Sequence, residues 1–428
     1  MAERGFVEVV GSVLGGVVRA PPSKSYTHRA LFASLLARGR SVIVNPLWSN
    51  DTLASLGVVE ALGARIERGE GSVVVESPGS RGLRWAPCLD VSESGTTMRI
   101  ATAVAALLDK PVLVHGSGRL HERPVRPLLE ALSLLGADYL LSRGCCPPHV
   151  VRGPVSPGST RIDASESSQY LTALLFLGAG LGRLEILVEG LESRPYVDVT
   201  IRVLEAFGAG VERDEYRWFR VDGSPRPRRY AVPGDWSSAA VLLAAGAIGG
   251  RVRVVGVDHG DPQPDKAIVY VLRGMGARVV LGEGYAEAEG SKLEGFEACI
   301  RDYPDLGPVL AALAAVACGV SRICCAERLR LKESDRVGAI LDLLRRSGVE
   351  ARTVEAGAKG LCIEVRGACG KLPGGTVYDP HGDHRVAMAA ALLGIASAKP
   401  VKILWPRVVA KSYPGFWEAL RRLGARIR

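Results

Sequence analysis

The chain of 428 residues is 47% apolar and carries a formal net charge of +9, enough for two ordinary domains with substantial cores. Its longest apolar runs, such as VLAALAAVACGV at 309–320, fall short of the roughly 18 residues a membrane span needs, and MAERGFVEVV lacks a signal-peptide core, so a cytoplasmic protein without a membrane partner is expected. Dispersed basic residues and 6% aromatic content argue against nucleic acid as the acidic partner and favour small anions.

Nine cysteines, with adjacent pairs at Cys145-Cys146 and Cys324-Cys325, show no Cys-x-x-Cys spacing, and buried free thiols are expected. Asparagine occurs only at Asn45 and Asn50, glutamine only at Gln169 and Gln263, and arginine far outnumbers lysine. This composition is thermophile-like, although GC-rich codon usage would raise arginine equally well.

In chain order, a strand is expected in FVEVVGSVLGG from residue 6. HRALFASLLARG then reads as a helix apolar nearly all round, and VVEALGARIERG from residue 58 as an amphipathic helix ending at Gly63. The same pair returns five times. TMRIATAVAALL precedes LLEALSLLGADYL (Gly136), QYLTALLFLGAG precedes RVLEAFGAGVERD (Gly208), and SSAAVLLAAGAIGG precedes YVLRGMGARVVLG (Gly276). GPVLAALAAVACG precedes LDLLRRSGVEART (Gly348), and HRVAMAAALLGIAS precedes FWEALRRLGARIR (Gly424). The repeat, about every 70 residues, is strand, buried helix, strand, amphipathic helix, strand. Six copies make three per domain if the chain divides evenly, and the crowding of proline and arginine in PRPRRYAVPGD, 225–235, marks the division.

The buried helices begin at polar residues: Ser25 and Thr27, Gly95 with Thr96 and Thr97, Ser167 and Ser168, Asp235 with Ser237, Asp305, and Asp383. Capping accounts for any one of these. It does not account for the cations in SKSYTHR, GTTMR and GDHR, which oppose the helix dipole by roughly 0.3–1 kcal/mol. Helix N–H groups, hydroxyls and a cation together make an anion site. Lys24 with Ser25 and Arg29, Ser167 with Ser168, Lys332 with Arg336, and Arg123, Arg385 and Lys411 all fit one. Singly, Lys24 reads as a surface lysine, Arg123 as a solvated charge and Lys332 with Glu333 as an exposed pair. Their coincidence at equivalent points of a repeat carries the argument. HGDH at 381–384 lacks a partner cluster for a metal site, and no P-loop, dinucleotide fingerprint or serine elbow is present.

PPSKSYTHRA, SGTTMRI, ERPVRPLLEAL, SSQYLTALL, RPYVDVT, DYPDLGPVLAALAA, RLKESDR, DHRVAMA and AKSYPGFWEAL run from one end of the chain to the other. In that order they resemble the signature set of the 5-enolpyruvylshikimate-3-phosphate synthase family. The resemblance implies an α/β fold, a two-domain inside-out α/β barrel of six βαβαββ repeats, three per domain, with buried helices. One domain would span 21–231 and serve mainly shikimate 3-phosphate. The second, 1–20 with 232–428, would serve mainly phosphoenolpyruvate and the acid/base residues, with the active site in the cleft between the two. The implied reaction transfers the enolpyruvyl group of phosphoenolpyruvate to the 5-hydroxyl of shikimate 3-phosphate and releases phosphate through a tetrahedral intermediate, a step of the shikimate pathway toward chorismate and the aromatic amino acids. No cofactor or metal is implied, and a monomer is expected.

Each substrate brings a phosphate of about −1.5 to −2 and a carboxylate, about five negative charges together. At an effective dielectric of 20, one like-charge pair at 4 Å repels by about 4 kcal/mol, so a site for both needs cations. Carried over motif by motif, Lys24, Ser25, Arg29, Ser167, Ser168, Gln169, Ser193, Tyr196, Asp305 and Lys332 resemble the shikimate 3-phosphate ligands. Lys24, Gly95, Arg123, Gln169, Arg336, Arg385 and Lys411 resemble the phosphoenolpyruvate ligands. Asp305 and Glu333 resemble the acid/base carboxylates. Asp305 is the expected base for the attacking hydroxyl, while Glu333, Lys24 and Lys411 are candidates for protonating the methylene carbon.

The chain departs from the family pattern at Glu93 and Arg328, where many members carry asparagine, and at Ile100, where proline is frequent. Glu93 is expected to pair with a local arginine such as Arg99. The related transferase acting on UDP-N-acetylglucosamine shares fold and donor, but its reactive loop cysteine has no counterpart in HGSGRLHERP, and SSQ with KESDR favours shikimate 3-phosphate. A non-catalytic nucleic-acid-binding protein is the alternative from another class.

Overall fold

Helices apolar on every side have no solvent face and must be enclosed. The computed structural model describes residues 5–428, so residues 1–4 of the expected 1–20 segment lie outside the described residues. Its α-helices are α1 (Lys24–Leu36), α2 (Asn50–Ala61), α3 (Gly95–Ala105), α4 (Arg126–Ser133), α5 (Gln169–Leu181) and α6 (Pro195–Ala206), then α7 (Trp236–Gly249), α8 (Ile268–Gly274), α9 (Gly307–Val316), α10 (Arg336–Arg346), α11 (His384–Ile395) and α12 (Phe416–Arg422). The odd-numbered helices are the enclosed ones: every residue of α9 and α11 is buried. The even-numbered helices bury one face only. In α4, Leu128, Leu129, Ala131 and Leu132 turn inward while Arg126 and Glu130 stay exposed. Gly63, Gly136, Gly208, Gly276, Gly348 and Gly424, which follow the even-numbered helices, all hold a left-handed backbone with φ between 75° and 105°, where a Cβ would be strained.

The chain forms two units. Residues up to Pro21 together with Gly234–Arg428 make a host unit, and Pro22–Pro233 make an inserted unit. In the inserted unit α1, α3 and α5 touch one another pairwise, as α7, α9 and α11 do in the host unit. Each triplet is walled by three four-stranded sheets. In all six sheets one outer strand runs parallel to its neighbour and the remaining pairings are antiparallel. Small residues let helix and sheet approach closely. A Cβ built on Gly178 of α5 would stand 2.9 Å from Val221 Cβ, and one on Gly394 of α11 would stand 2.8 Å from Val9 Cβ, closer than packed carbons allow.

The expected first strand is in fact two. Phe6–Val10 joins the sheet of Val401–Leu404, while Leu14–Arg19 runs parallel to Gly250–Val255. Each unit thus completes a repeat with strands distant in sequence, and Arg229–Ala231 does the same beside Gly39–Val44. The expectation of free thiols is corrected for six of the nine cysteines. Disulfides join Cys299 to Cys325, Cys318 to Cys369 and Cys324 to Cys362, while Cys88, Cys145 and Cys146 stay free. Two of these bridges meet across one sheet of the fifth repeat, so their spacing follows strand pairing instead of a local motif, and the Cys318–Cys369 bridge lies beyond the end of α9. No helix among the described residues is long and apolar enough to cross a membrane.

Candidate active site

Polar side chains gather where the enclosed helices begin. In the inserted unit, α1 opens at Lys24, whose Nζ lies 2.8 Å from Asp51 Oδ2 in the first turn of α2. The α3 end is capped by Ser94, which accepts from Thr97 N–H. The guanidinium of Arg123 covers that end: a Cβ on Gly95 would fall 2.6 Å from Arg123 Cζ. Gln169, at the start of α5, ties the ends together, accepting from Arg99 Nη1 at 2.9 Å and donating from Nε2 to Thr96 Oγ1 at 3.0 Å. Ser167 Oγ accepts from Gln169 N–H, and the neighbouring Ser168 makes no cap bond.

Arg29 directs most of its donors inward. Nε donates to Thr200 Oγ1 at 2.9 Å, Nη1 to Ser25 O at 3.0 Å, and Nη2 to Tyr196 O at 3.1 Å. Burial lowers its pKa to about 10. Ser193, two residues before Pro195 opens α6, holds a left-handed backbone, φ 54°, a strained conformation for a residue with a Cβ. Its carbonyl accepts from Tyr196 N–H.

In the host unit the starts of α9, α10 and α11 bring together acids and bases. Arg336 is 1% exposed and is held by Asp383 through Nε at 2.7 Å, by Glu333 through Nη2 at 2.8 Å and by Asp305 through Nη1 at 2.9 Å. Lys332 Nζ stands 3.8 Å from Asp305 Oδ1, and Arg385 Nη2 stands 3.7 Å from Asp305 Oδ2. Lys411 is buried at the end of the Pro406–Lys411 turn, which packs on α11. Asp383, in HGDH, caps α11 by accepting from Arg385 N–H at 2.8 Å and also takes Ser334 Oγ–H. A bidentate, fully buried pair of this kind is worth keeping only if its remaining lone pairs are also satisfied, and here they are.

A family model for EPSP synthase (3-phosphoshikimate 1-carboxyvinyltransferase) matches residues 10–420. The chain belongs to the EPSP synthase family. It is 49% identical over 422 residues to 3-phosphoshikimate 1-carboxyvinyltransferase of Aeropyrum pernix, covering 98% of this chain and 96% of that one. Identity to the enzyme of the same name from Thermococcus kodakarensis is 42% over 408 residues, 95% and 97% of the two chains. The fold is similar to the solved EPSP synthase of Acinetobacter baumannii, with a TM-score of 0.81 and 26% identity over 99% of this chain and all of that one. As in the EPSP synthase family, this is an α/β transferase fold with the repeats read from the sequence, and its thermophile-like composition agrees with relatives from archaeal hyperthermophiles.

The electrostatics of the EPSP synthase residues in the host unit are strongly perturbed. Burial alone would raise the pKa of Asp305, but Lys332, Arg336 and Arg385 outweigh it and hold the carboxyl far below the usual range. Burial lowers Lys332 to about 8, against the pull of Asp305 in the other direction, with Arg328 and Arg336 adding to the fall. Burial also opposes the charge of Arg336, yet Asp383, Glu333 and Asp305 raise its pKa above the ordinary value. Asp305 is therefore an anion with three cations around it, and an incoming anion that draws those cations away would make it more basic.

Sequence reasoning passed over Asp51, which holds Lys24, and read Asp383 as a helix start without its pairing to Arg336. Asp51 is a first-turn acid of α2 and Asp383 the cap of α11, whose capping role hid its pairing. That reasoning also missed that burial pushes the Lys332 pKa down to about 8, since burial of that lysine is a tertiary property. Arg99 donates to Gln169, to Gly95 O and to Pro124 O, and the Glu93 side chain lies against Gly118.

Proposed function

We propose that this chain transfers the enolpyruvyl group of phosphoenolpyruvate to the 5-hydroxyl of shikimate 3-phosphate and releases inorganic phosphate. Family membership over nearly the whole length carries this reading, and the cation clusters support it. Addition forms a bond from the acceptor oxygen to C2 of the donor, moves the hydroxyl proton to a base and adds a proton to C3. Elimination then breaks the C2–phosphate bond and returns a proton from C3, so that atoms and charge balance.

In this proposal the inserted unit supplies Lys24, Ser25, Arg29, Ser167, Ser168, Gln169, Ser193 and Tyr196 to shikimate 3-phosphate, with Lys24, Gly95, Arg123 and Gln169 for phosphoenolpyruvate. The host unit supplies Arg336, Arg385 and Lys411 to phosphoenolpyruvate, and Lys332 to the acceptor. Asp305 takes the hydroxyl proton once the anionic groups of the two substrates compete for Lys332, Arg336 and Arg385, which lifts its basicity at the moment it is needed. Glu333, Lys24 and Lys411 remain candidates for delivering the C3 proton, and Lys332 joins them because its pKa of about 8 lies near working pH. Fixed cations around developing charge provide the main acceleration. We take the protein to act as a monomer in the cytoplasm on these small molecules, without a nucleic-acid partner.

A coupled phosphate-release assay with each acceptor tests the reading. Release with shikimate 3-phosphate and none with UDP-N-acetylglucosamine is expected; activity with the nucleotide sugar alone would overturn it.

A further inference from the structure

All three disulfides lie within residues 299–369, in the repeat that carries Asp305, Lys332, Glu333 and Arg336. Two of them lock one end of one sheet. Cys299 closes the strand Glu297–Cys299 and Cys324 closes Val320–Cys324, and the two are register partners. On the other side Ile323 pairs with Ile363, which sets Cys324 opposite Cys362. The adjacent residues Cys324 and Cys325 are thus bonded to opposite neighbours, one to each flanking strand.

Two arms leave that locked end. Six residues after Cys299 the chain reaches Asp305, through turns closed by Tyr303 N–H to Ile300 O at 3.1 Å and Leu306 N–H to Tyr303 O at 3.0 Å. Seven residues after Cys325 the second arm reaches Lys332, with Glu333 and Arg336 just beyond. The arm tips meet where Asp305 Oδ1 lies 3.8 Å from Lys332 Nζ and 2.9 Å from Arg336 Nη1. Between the two roots themselves the structure adds one backbone bond, Ile300 N–H to Cys324 O at 3.0 Å, while Cys325 N–H and Ala326 N–H bond to Lys359 O and Leu361 O of the other flank. The strand Glu297–Cys299 pairs with its neighbour over three residues only, a length at which a ladder is marginal, and Cys325 sits in left-handed backbone, φ 59°, which costs free energy for a residue with a Cβ.

We propose that the Cys299–Cys325 bridge is a positioning element of the acid/base cluster, clamping the two arms that carry Asp305 and Lys332, so that the disulfide-bonded protein is the fully active form. The inference rests on the site roles proposed above. The bridge forms by exchange with a disulfide of a small molecule or protein, which accepts the two electrons and two thiol protons and leaves as thiols. A dithiol or phosphine reductant breaks it, giving two thiols. Access is graded: Cys299 is exposed, whereas Cys324 and Cys362 are 1% and 0% exposed, so mild reductant opens the clamp before the inner bridge.

The test compares the full chain, the double variant Cys299→Ser/Cys325→Ser, and Cys318→Ser/Cys369→Ser as a control. The control bridge joins the segment after the far end of α9, ten helical residues from Asp305. Alkylation and mass mapping should find three free thiols in the native protein, Cys88, Cys145 and Cys146. Opening the clamp should lower kcat by about tenfold, change the KM values less, and speed amide exchange in 300–306 and 326–333. The alkaline limb of kcat, set by Lys332 among Asp305, Glu333, Arg328 and Arg336, should move to higher pH as the lysine becomes hydrated. The control should keep kcat and the limb even if its thermal midpoint falls, since a purely stabilising bridge would affect both variants alike. Nine free thiols in the native protein, or unchanged exchange in both arms after the clamp is opened, overturns the inference. If the oxidised chain turns over neither substrate the proposed reaction fails, and amide exchange in the arms still decides the clamp.

Discussion

Lys332→Met sets stability against function at one side chain. Lys332 is 19% exposed, and burial takes its pKa from 10.5 to about 8. That fall corresponds to about 3 kcal/mol of destabilisation while the folded protein holds the ammonium charged. Below pH 8 folded and unfolded chains are both protonated, so the full penalty is present at pH 7. Between pH 8 and 10.5 the unfolded chain binds the proton more tightly, and wild-type stability rises with pH; above 10.5 both forms are neutral and the penalty is gone. Methionine keeps most of the stem and removes the charge. Asp305 loses one cation but keeps Arg336 at 2.9 Å and Arg385 at 3.7 Å, which offsets part of the gain. The variant should be more stable than wild type by about 1–3 kcal/mol at pH 7, an advantage that shrinks toward pH 10.5, while phosphate release falls by about 100-fold or more. Urea titrations at both pH values and steady-state kinetics measure these quantities. A variant less stable at pH 7, or an advantage independent of pH, would refute the reasoning.

Asp305→Asn should retain equilibrium binding of shikimate 3-phosphate and lose turnover by about 10³-fold, measured by titration and by single-turnover kinetics. Gly95→Ala should raise the KM for phosphoenolpyruvate by about tenfold, because the new methyl group displaces the Arg123 guanidinium, while stability changes by under about 0.5 kcal/mol; Arg123→Ala and Lys24→Ala should act on the same KM. Asp383→Ala leaves Arg336 buried without its two-point partner and uncaps α11, so a loss of about 3–5 kcal/mol in urea unfolding is expected.

The repeat was legible because enclosed helices and amphipathic helices have different sequence patterns, and because Gly63 and its five equivalents end the outer helices in backbone that glycine tolerates best. Site residues were legible where a cation stands at a helix start, as at Lys24, Arg336 and Arg385, since capping calls for no cation. Strand exchange was not: Phe6–Val10 and Leu14–Arg19 read as one run, and only long-range pairing sends them to different sheets. The disulfides were hidden for the same reason, because Cys324 and Cys362 become neighbours only through strand register. Asp383 read as a cap, which it is, and Asp51 is a first-turn acid of α2; their role as counter-ions of Lys24 and Arg336 needs the three-dimensional arrangement of α1 with α2 and of α10 with α11.

Carbon NMR of a reaction started with phosphoenolpyruvate labelled at C2 tests the central claim most directly. With shikimate 3-phosphate present, the labelled carbon should end in an enol ether bonded to the acceptor's 5-oxygen, with one equivalent of inorganic phosphate formed for each ether. Label that stays in phosphoenolpyruvate, or that reaches pyruvate without an acceptor ether, would contradict it.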